Sequence, residues 1–361
     1  MEIGIIGLPQ SGKTTLFNSL TRGKAELHAY APTSLEPNLG VAKVADPRLT
    51  GLEAILQPKR TVPAEVKYID VAIPKGSGKG LSGELLAYLS KVDAFIQVVR
   101  AFSNERIPHS EGSIDPARDV GIISLELVFA DLVILEKRLL RIGDSLKGTK
   151  PSERESILRE QALISRIKDD LEKEVPLREQ SLTKEEARLM ESYNLLTAKP
   201  VLVVLNIGEE QLPQASSLEE KLRSHYPRFQ MATICSKLEM ELSQLSEAEA
   251  QEFRSAMGTG EAAIDRIIRL SYQLLGLVSF FTVVSKEVKA WTIHKDTPAP
   301  KAAGKIHTDM ERGFIRAEVV PYADLIKCGS LAEAKKQGLL RLEGKNYIVQ
   351  DGDVITFLFS V

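Results

Sequence analysis

The sequence predicts an α/β protein with a parallel-type sheet, an inserted helical hairpin, and a smaller α+β unit at the C-terminal end. Three observations lead to this fold class. Short apolar blocks alternate with helical segments through the first part of the chain, which is typical of a parallel sheet covered by helices. A long stretch rich in Leu, Glu, Lys and Arg interrupts that alternation, and β-branched and aromatic residues are frequent in the last part.

Length and composition fit a globular protein of two or three units. The chain has 361 residues, which is too many for one small core. Its net charge of -2 excludes a protein that is basic throughout, and a local basic patch stays open. The two cysteines lie far apart and the five histidines do not cluster, so we expect neither a disulfide nor a zinc site. Because there is no long apolar run and no secretory leader pattern, we expect a cytoplasmic protein without a membrane partner.

The predicted strands of the sheet follow one another along the chain. EIGIIG is the first, and the helix KTTLFNSLT comes directly after it. The later strands are AEVKYIDVA, AFIQVVR, KPVLVVLN and QMATICS, with a helix at SLEEKLRSHY. Their continuous Val, Ile and Leu content indicates strands that are buried on both faces.

The interruption predicts a helical hairpin, or coiled coil, over residues 124–194. Its two arms, LVFADLVILEKRLLRI and ESILREQALISRIKDDLEKEV, repeat apolar residues three and four positions apart, and GTKPSE between them is a turn. The hairpin is either a pair of core helices or a projecting arm that contacts a partner. Its length and dense polar faces favour the arm.

The last part predicts a separate α+β domain over residues 278–361. Strands are expected in SFFTVVSKEVKAWTI, GFIRAEVV and NYIVQDGDVITFLF, with DGDV as a turn. TPAPKAAGKI is interpreted as a proline-punctuated loop that leads into a short helix. Residues 1–123 and 195–277 then form one domain, into which the hairpin is inserted.

The turn after the first strand reads GLPQSGKT, the GxxxxGK[ST] pattern of a P-loop. Its glycines let the backbone curl so that successive N–H groups point at one phosphate. Lys13 can reach the β- and γ-phosphates, and the Thr14 hydroxyl can ligate Mg²⁺. The alternative is a glycine-rich turn with a surface lysine. The position between a strand and a helix favours the P-loop.

Two later positions suit a magnesium ion beside the phosphates. Asp70 ends the strand VKYID and can hold Mg²⁺ through water, with a helix cap or a turn as the alternative. Thr33 and Ser34 lie in the preceding loop, where a hydroxyl can close on Mg²⁺ or can simply belong to a turn. No glutamine follows Asp70 to orient water, so catalysis would come from Lys13, Mg²⁺ and backbone donors.

The base-binding side is predicted where VLVVL ends. The sequence there is NIGE, from Asn206 to Glu209, whereas GTP-binding proteins normally have NKxD. An asparagine in this position can bond the base and brace the P-loop. The aspartate of NKxD accepts two guanine N–H groups. A site that cannot accept both of these hydrogen bonds lacks the main interaction that selects guanine.

In their order and spacing, these segments resemble the YchF/Obg-like ATPases, and the resemblance covers nearly the whole chain. It includes the P-loop, SLEPNLGVAKVADPRL, DAFIQVVRAF and NxxE, while AAGKIHTD, GFIRAEV and YIVQDGDV resemble a TGS domain, a β-grasp-like module. The resemblance implies slow hydrolysis of ATP in preference to GTP with Mg²⁺, in a translation-related switch. It also implies association with the ribosome or its large subunit, with RNA contacts through the helical arm and the TGS domain.

The resemblance also assigns residues. The nucleotide would be bound by Gln10, Ser11, Gly12, Lys13, Thr14, Thr15, Asn206, Ile207 and Glu209. The metal would be held by Thr14 and Ser34, and the catalytic residues would be Lys13 and Asp70.

The chain departs from the family pattern at two places. Gln10 stands where relatives have an asparagine that helps to hold potassium, so potassium stimulation is an open question. DVAIPKG replaces DIAG, so the glycine that meets the γ-phosphate is missing. We expect binding to survive and hydrolysis to be weakened. An ATPase switch, a nucleotide-regulated ribosome-binding module with vestigial hydrolysis, and a GTPase of the Obg branch all remain candidates.

Overall fold

A computed structural model describes residues 1–23, 37–71, 83–147, 150–256, 262–284 and 286–360, without the side chains of residues 151–153 and 247. Contacts between residues divide the chain into two compact units. The first consists of Met1–Gly40 and Lys67–Ile264, and the second of Val41–Val66 and Asp265–Val361.

Helices and strands alternate along most of the chain. The order begins with β1 (Glu2–Ile6), α1 (Lys13–Thr21), β2 (Asn38–Lys43), α2 (Pro47–Leu56), β3 (Arg60–Val62), β4 (Glu65–Asp70), α3 (Gly83–Leu89), β5 (Ala94–Arg100) and α4 (Pro116–Leu146). It continues with α5 (Pro151–Glu172), α6 (Lys184–Glu191), β6 (Val201–Asn206), α7 (Ala215–His225), β7 (Gln230–Ile234), α8 (Ser236–Leu242), α9 (Glu247–Ala256) and α10 (Ala263–Leu274). The last elements are β8 (Leu277–Val284), β9 (Glu287–His294), α11 (Ala299–Ile306), α12 (Thr308–Arg312), β10 (Phe314–Pro321), α13 (Tyr322–Cys328), α14 (Leu331–Lys336), β11 (Arg341–Glu343) and β12 (Asp353–Phe359).

The first unit is built on a sheet with the strand order β2-β4-β1-β5-β6-β7. Neighbouring strands in the part of this order that runs β4-β1-β5-β6-β7 pair in parallel, as the sequence predicts. Ile5 lies opposite Asp70, and Arg100 lies opposite Asn206. Because parallel strands end at the same edge, the P-loop after β1 shares an edge with Asp70 and Asn206.

The predicted helical hairpin is formed by α4 and α5, which pack through a buried apolar cluster that includes Leu135, Ile164 and Ile167. The helix α4 begins earlier than the predicted residue 124. The Asp115 side chain accepts a hydrogen bond from the Arg118 backbone N–H, and Pro116 occupies the first helical turn. An aspartate cap followed by proline is a strong start signal. Within the described ranges, every helix is too short or too polar for a bilayer span.

The second unit contains a mixed sheet with the strand order β11-β10-β12-β8-β9-β3. Its core lies between the sheet and α11, whose residues Ala299, Ala302 and Ala303 are fully buried against Phe280 and its neighbours. This confirms the predicted α+β character. The strand β3 belongs here because it pairs with β9 in parallel. The domain boundaries proposed from the sequence remain a prediction, and the contact-defined units divide the chain differently.

Two local expectations in this unit are wrong. Within TPAPKAAGKI the helix α11 already begins at Ala299, because a proline in the first turn is compatible with a helix start. Residues 346–350, all described, contribute only an isolated bridge at Ile348. The Asp353 carboxylate accepts hydrogen bonds from the Gln350 backbone N–H at 2.9 Å and the Tyr347 hydroxyl at 2.7 Å, which ties this stretch to the first residue of β12.

Candidate nucleotide-binding site

The P-loop backbone requires its glycines. Gly12 has a φ of 95°, and a Cβ there would lie 2.2 Å from Nδ2 of Asn206. A Cβ on Gly7 would lie 2.4 Å from the carbonyl oxygen of Val98. Gln10 also has a positive φ, of 63°. The loop therefore curls tightly against the ends of β5 and β6, and only glycine fits at its two fixed positions.

Lys13 is the first residue of α1 and its side chain turns back into the loop. Its Nζ donates hydrogen bonds to the carbonyl oxygens of Gly7 at 3.1 Å and Leu8 at 2.9 Å. Burial lowers the pKa of Lys13 to about 8, and the nearby charge of Asp70 opposes the shift. A buried ammonium beside a helix N-terminus is a strong attractor for a phosphate anion.

The side-chain oxygens of Thr14 and Asp70 form a partly buried pair beside the P-loop. The Thr14 hydroxyl donates to Oδ2 of Asp70 at 2.7 Å. The other carboxylate oxygen, Oδ1, is buried and makes no hydrogen bond among the described residues. A hydroxyl and an unsatisfied carboxylate are ligands that suit Mg²⁺, which usually takes few protein ligands and completes its shell with water and phosphate. This pair therefore fits the predicted metal.

The side chain of Asn206 braces the P-loop. Its Nδ2 donates to the carbonyl oxygen of Ser11 at 3.0 Å, and its Oδ1 accepts from the Ser236 backbone N–H at 3.1 Å. The residue is only 4% exposed. Its side chain thus ties the P-loop to the beginning of α8 across the end of β6.

Ile207 and Glu209 follow Asn206 in the loop after β6. The Ile207 side chain lies in the core, and its backbone N–H donates to Ile234 at 2.8 Å. Glu209 begins a short 3₁₀ helix and is partly exposed, with Oε1 lying 3.2 Å from Nζ of Lys237. Lys237 was not among the predicted site residues. It lies in ICSKLE, from Ile234 to Glu239, which resembles the base-side loop of GTP-binding proteins, and this resemblance is the signal that could have found it.

The structure brings most of the predicted residues to one edge of the sheet. Ser11 is buried within the loop, and Thr15 lies in the first turn of α1. Ser34, Thr33 and the altered DVAIPKG segment after Val71 lie outside the described residues. Their assignments stay predictions.

A second group of charged residues that the sequence did not single out organises the loop after β5. The Arg100 guanidinium donates to the carbonyl oxygens of Phe102 at 3.2 Å and Ile107 at 2.8 Å. Nε2 of His109 lies 2.8 Å from a carboxylate oxygen of Asp119, with both side chains buried. Because these residues are scattered and belong to no short motif, only the folded chain reveals the group.

Two family models match separate parts of the chain. Residues 2–124 match a model described as a 50S ribosome-binding GTPase. Residues 277–360 match the YchF-GTPase C-terminal model, which is described as a protein of unknown function.

Curated relatives match over the full length. The ribosome-binding ATPase YchF of Bacillus subtilis (strain 168) is 42% identical over 368 residues, covering 100% of both chains. The protein of the same name from Escherichia coli O157:H7 is 37% identical, covering 100% of this chain and 99% of the relative.

A solved structure has the same fold over nearly all of the chain. It is titled as the Schizosaccharomyces pombe YchF GTPase, with a TM-score of 0.87 and 31% identity, and it covers 99% of this chain and 97% of its own. Identity of 31–42% over nearly all residues of this chain and of its relatives shows that the chain belongs to the YchF family.

Proposed function

We propose that this protein is a Mg²⁺-dependent nucleoside triphosphatase that prefers ATP and associates with ribosomes. The observation that carries the proposal is the P-loop with buried Lys13 beside the Thr14–Asp70 pair. The relatives from B. subtilis and E. coli are both named ribosome-binding ATPases, which supports the same activity here.

Each residue of the site would have its own role in the transfer of the phosphoryl group to water. Backbone N–H groups from Gly12 to Thr15 would bind the phosphate oxygens, and the Lys13 ammonium would stabilise charge that develops on the transferred group. Thr14 and Asp70 would hold Mg²⁺, with Ser34 as the further ligand implied by the sequence. The metal would supply charge neutralisation at the β- and γ-phosphates. Hydrolysis is expected to be slow because the γ-phosphate glycine of DIAG is absent from the sequence.

The residues proposed to contact the base favour ATP over GTP. NIGE lacks the lysine and the aspartate of NKxD. The Asn206 side chain bonds Ser11 and Ser236 and keeps a second amide N–H. We therefore propose that the base is met by this amide, by Glu209 and by the backbone near Ile207. GTP is the second candidate, because the matched N-terminal model and the S. pombe relative are both described as GTPases.

Ribosome association is proposed through the helical arm and the C-terminal unit. The description of the N-terminal model names the 50S particle, which points to the large subunit. The helix α4 leaves Phe129 and Leu140 exposed, as expected for an arm that meets a partner. We assign residues 278–361 as a TGS domain that contacts RNA, with Lys289 stacked on Trp291 as one of its cationic residues. A cytoplasmic location is part of this proposal, because a ribosomal partner would be met there.

The test is titration calorimetry of the full chain with ATP and with GTP in the presence of Mg²⁺, followed by single-turnover phosphate release with and without ribosomes. We expect ATP to bind tighter than GTP. Lys13→Ala should weaken ATP binding by about tenfold or more, because it removes the buried cation that meets the phosphates. Lys221→Ala, at an exposed lysine of α7, is the matched control.

The outcomes separate the candidates. If GTP bound about tenfold tighter than ATP, GTP would be the preferred substrate instead of ATP. Phosphate release no faster than in Lys13→Ala, even with ribosomes, would leave a nucleotide-regulated binding module. An absence of binding heat with either nucleotide would refute the proposal.

A further inference from the structure

An ion pair bridges the two loops that flank the base side of the site. Glu209 is the first residue of the 3₁₀ helix after β6, and Lys237 is the second residue of α8 after β7. Nζ of Lys237 lies 3.2 Å from Oε1 of Glu209 and 3.8 Å from Oε1 of Glu241. Neither the P-loop nor the magnesium ligands use Lys237.

We propose that Lys237 is a specificity-determining residue, which occupies one carboxylate oxygen of Glu209 and thereby favours adenine over guanine. The inference rests on the proposed function, since it needs a nucleotide in the P-loop. It deepens that function by assigning base selection to a residue outside NIGE.

The location follows from the Asn206 brace. The Asn206 side chain joins Ser11 of the P-loop to Ser236, the residue directly before Lys237. The Ile207 N–H donates to Ile234 at 2.8 Å, so the two loops leave the sheet side by side. A nucleotide whose phosphates lie in the P-loop extends along this carboxyl edge, where Glu209 and Lys237 are the charged pair.

The chemistry distinguishes the two bases. Guanine presents two adjacent N–H donors, which a carboxylate with two free oxygens accepts together. Adenine presents one amino group beside a ring nitrogen that accepts hydrogen bonds, and a full carboxylate repels that nitrogen. With Oε1 paired to Lys237, Glu209 keeps Oε2 for the single amino group. Lys237 keeps further donors, and it stays charged because its hydrogen bond to Glu209 raises its pKa.

The experiment measures ATP and GTP affinity by calorimetry with Mg²⁺ in the full chain and in Lys237→Met. We expect the ratio of ATP to GTP affinity to fall by about fivefold or more, mainly through tighter GTP binding. Glu241→Gln removes only the longer pair of Lys237, and Lys221→Met removes an exposed lysine of α7. Both should keep the ratio of the unaltered protein.

A double-mutant cycle separates this role from a general effect on α8. In a Glu209→Gln background, Lys237→Met should leave the ratio unchanged, because the carboxylate that it controls is gone. An unchanged ratio in Lys237→Met alone, or an equal shift in both backgrounds, would overturn the inference. The two failures can be told apart. If the unaltered protein bound neither ATP nor GTP, the proposed function itself would be refuted. If it bound ATP normally and Lys237→Met left the ratio of affinities unchanged, only the role of Lys237 would be refuted.

Discussion

The ammonium of Lys13 points into the P-loop, where we expect a bound phosphate oxygen to take over its hydrogen bonds. It now donates to two carbonyl oxygens of its own loop, and burial lowers its pKa to about 8. A bound triphosphate would favour the charged form and raise that pKa. Binding is therefore linked to proton uptake above about pH 8.

This linkage sets the pH dependence of affinity. Below about pH 8 Lys13 is already charged, and above it each nucleotide must bind together with a proton, so ATP affinity should fall by about tenfold between about pH 7 and pH 9. Calorimetry at several pH values, in buffers of different ionisation enthalpy, measures both the affinity and the proton uptake. Lys13→Arg should abolish the dependence, because arginine remains charged throughout this range. A flat profile in the unaltered protein would contradict the lowered pKa.

Residues in the P-loop were predictable because their chemistry is local. Gly12, Lys13 and Thr14 are adjacent, and a strand-to-helix turn fixes what each can do. The roles of Asn206 and Lys237 depend on partners distant in sequence, Ser11 and Glu209. A motif does not name such partners. The sequence places Asn206 where it can bond the base and brace the P-loop, and only the structure shows that its bracing partners are Ser11 and Ser236.

At the scale of elements, a single buried carboxylate anchors the base of the helical hairpin. Asp131 of α4 accepts hydrogen bonds from the backbone N–H groups of Leu196 and Thr197, each at 2.8 Å, and from the Thr197 hydroxyl at 2.6 Å. Leu196 and Thr197 lie in a 3₁₀ turn just before β6. Burial raises the pKa of Asp131 to about 6, and its donors, chiefly Thr197, oppose the rise.

Replacing the Asp131 carboxylate should weaken the contact between α4 and the 3₁₀ turn that contains Leu196 and Thr197. Asp131→Asn keeps the shape but turns an amide N–H₂ toward backbone donors, so we expect the free energy of unfolding to fall by about 1–3 kcal/mol. Asp169→Asn, at an exposed position of α5, is the control and should change stability by less than about 0.5 kcal/mol. Urea unfolding measures both. Equal stability of the two variants would show that the three hydrogen bonds do not anchor the hairpin.

The helices and strands of the first unit were largely predictable, since continuous apolar blocks such as VLVVLN are strong local signals. The start of α4 was missed because the helical spacing of apolar residues, three and four positions apart, was followed instead of the cap at Asp115. The irregular stretch at residues 346–350 was missed because its β-branched residues favour a strand. In the structure it forms only an isolated bridge at Ile348, and the Gln350 N–H donates to the Asp353 carboxylate.

At the scale of the whole molecule, the chain leaves the first unit after Gly40 and returns at Lys67. The intervening segment contributes α2 and β3 to the second unit. Arg48 of α2 pairs with Asp46 and with Asp351, both at 2.8 Å, and its guanidinium lies 5.3 Å from the centre of the Phe281 ring. The sequence did not predict this arrangement, because it depends on partners more than two hundred positions apart, as in the Arg48–Asp351 hydrogen bond with a separation of 303.

The discontinuous second unit should therefore depend on Arg48. Arg48→Met would leave two aspartates without their cation, so we expect a loss of about 1–3 kcal/mol in the stability of this unit. Arg60→Met, in the same segment, removes an exposed pair with Glu287 and should cost less than about 0.5 kcal/mol. Hydrogen exchange of the full chain locates the effect: protection should fall in β8, β9 and β12, while β5 and β6 keep theirs. If protection fell equally in all five strands, the two units would unfold as one, and the local role of Arg48 would be refuted. If protection were unchanged, the ion pairs of Arg48 would contribute nothing to joining the segment 41–66 to its unit.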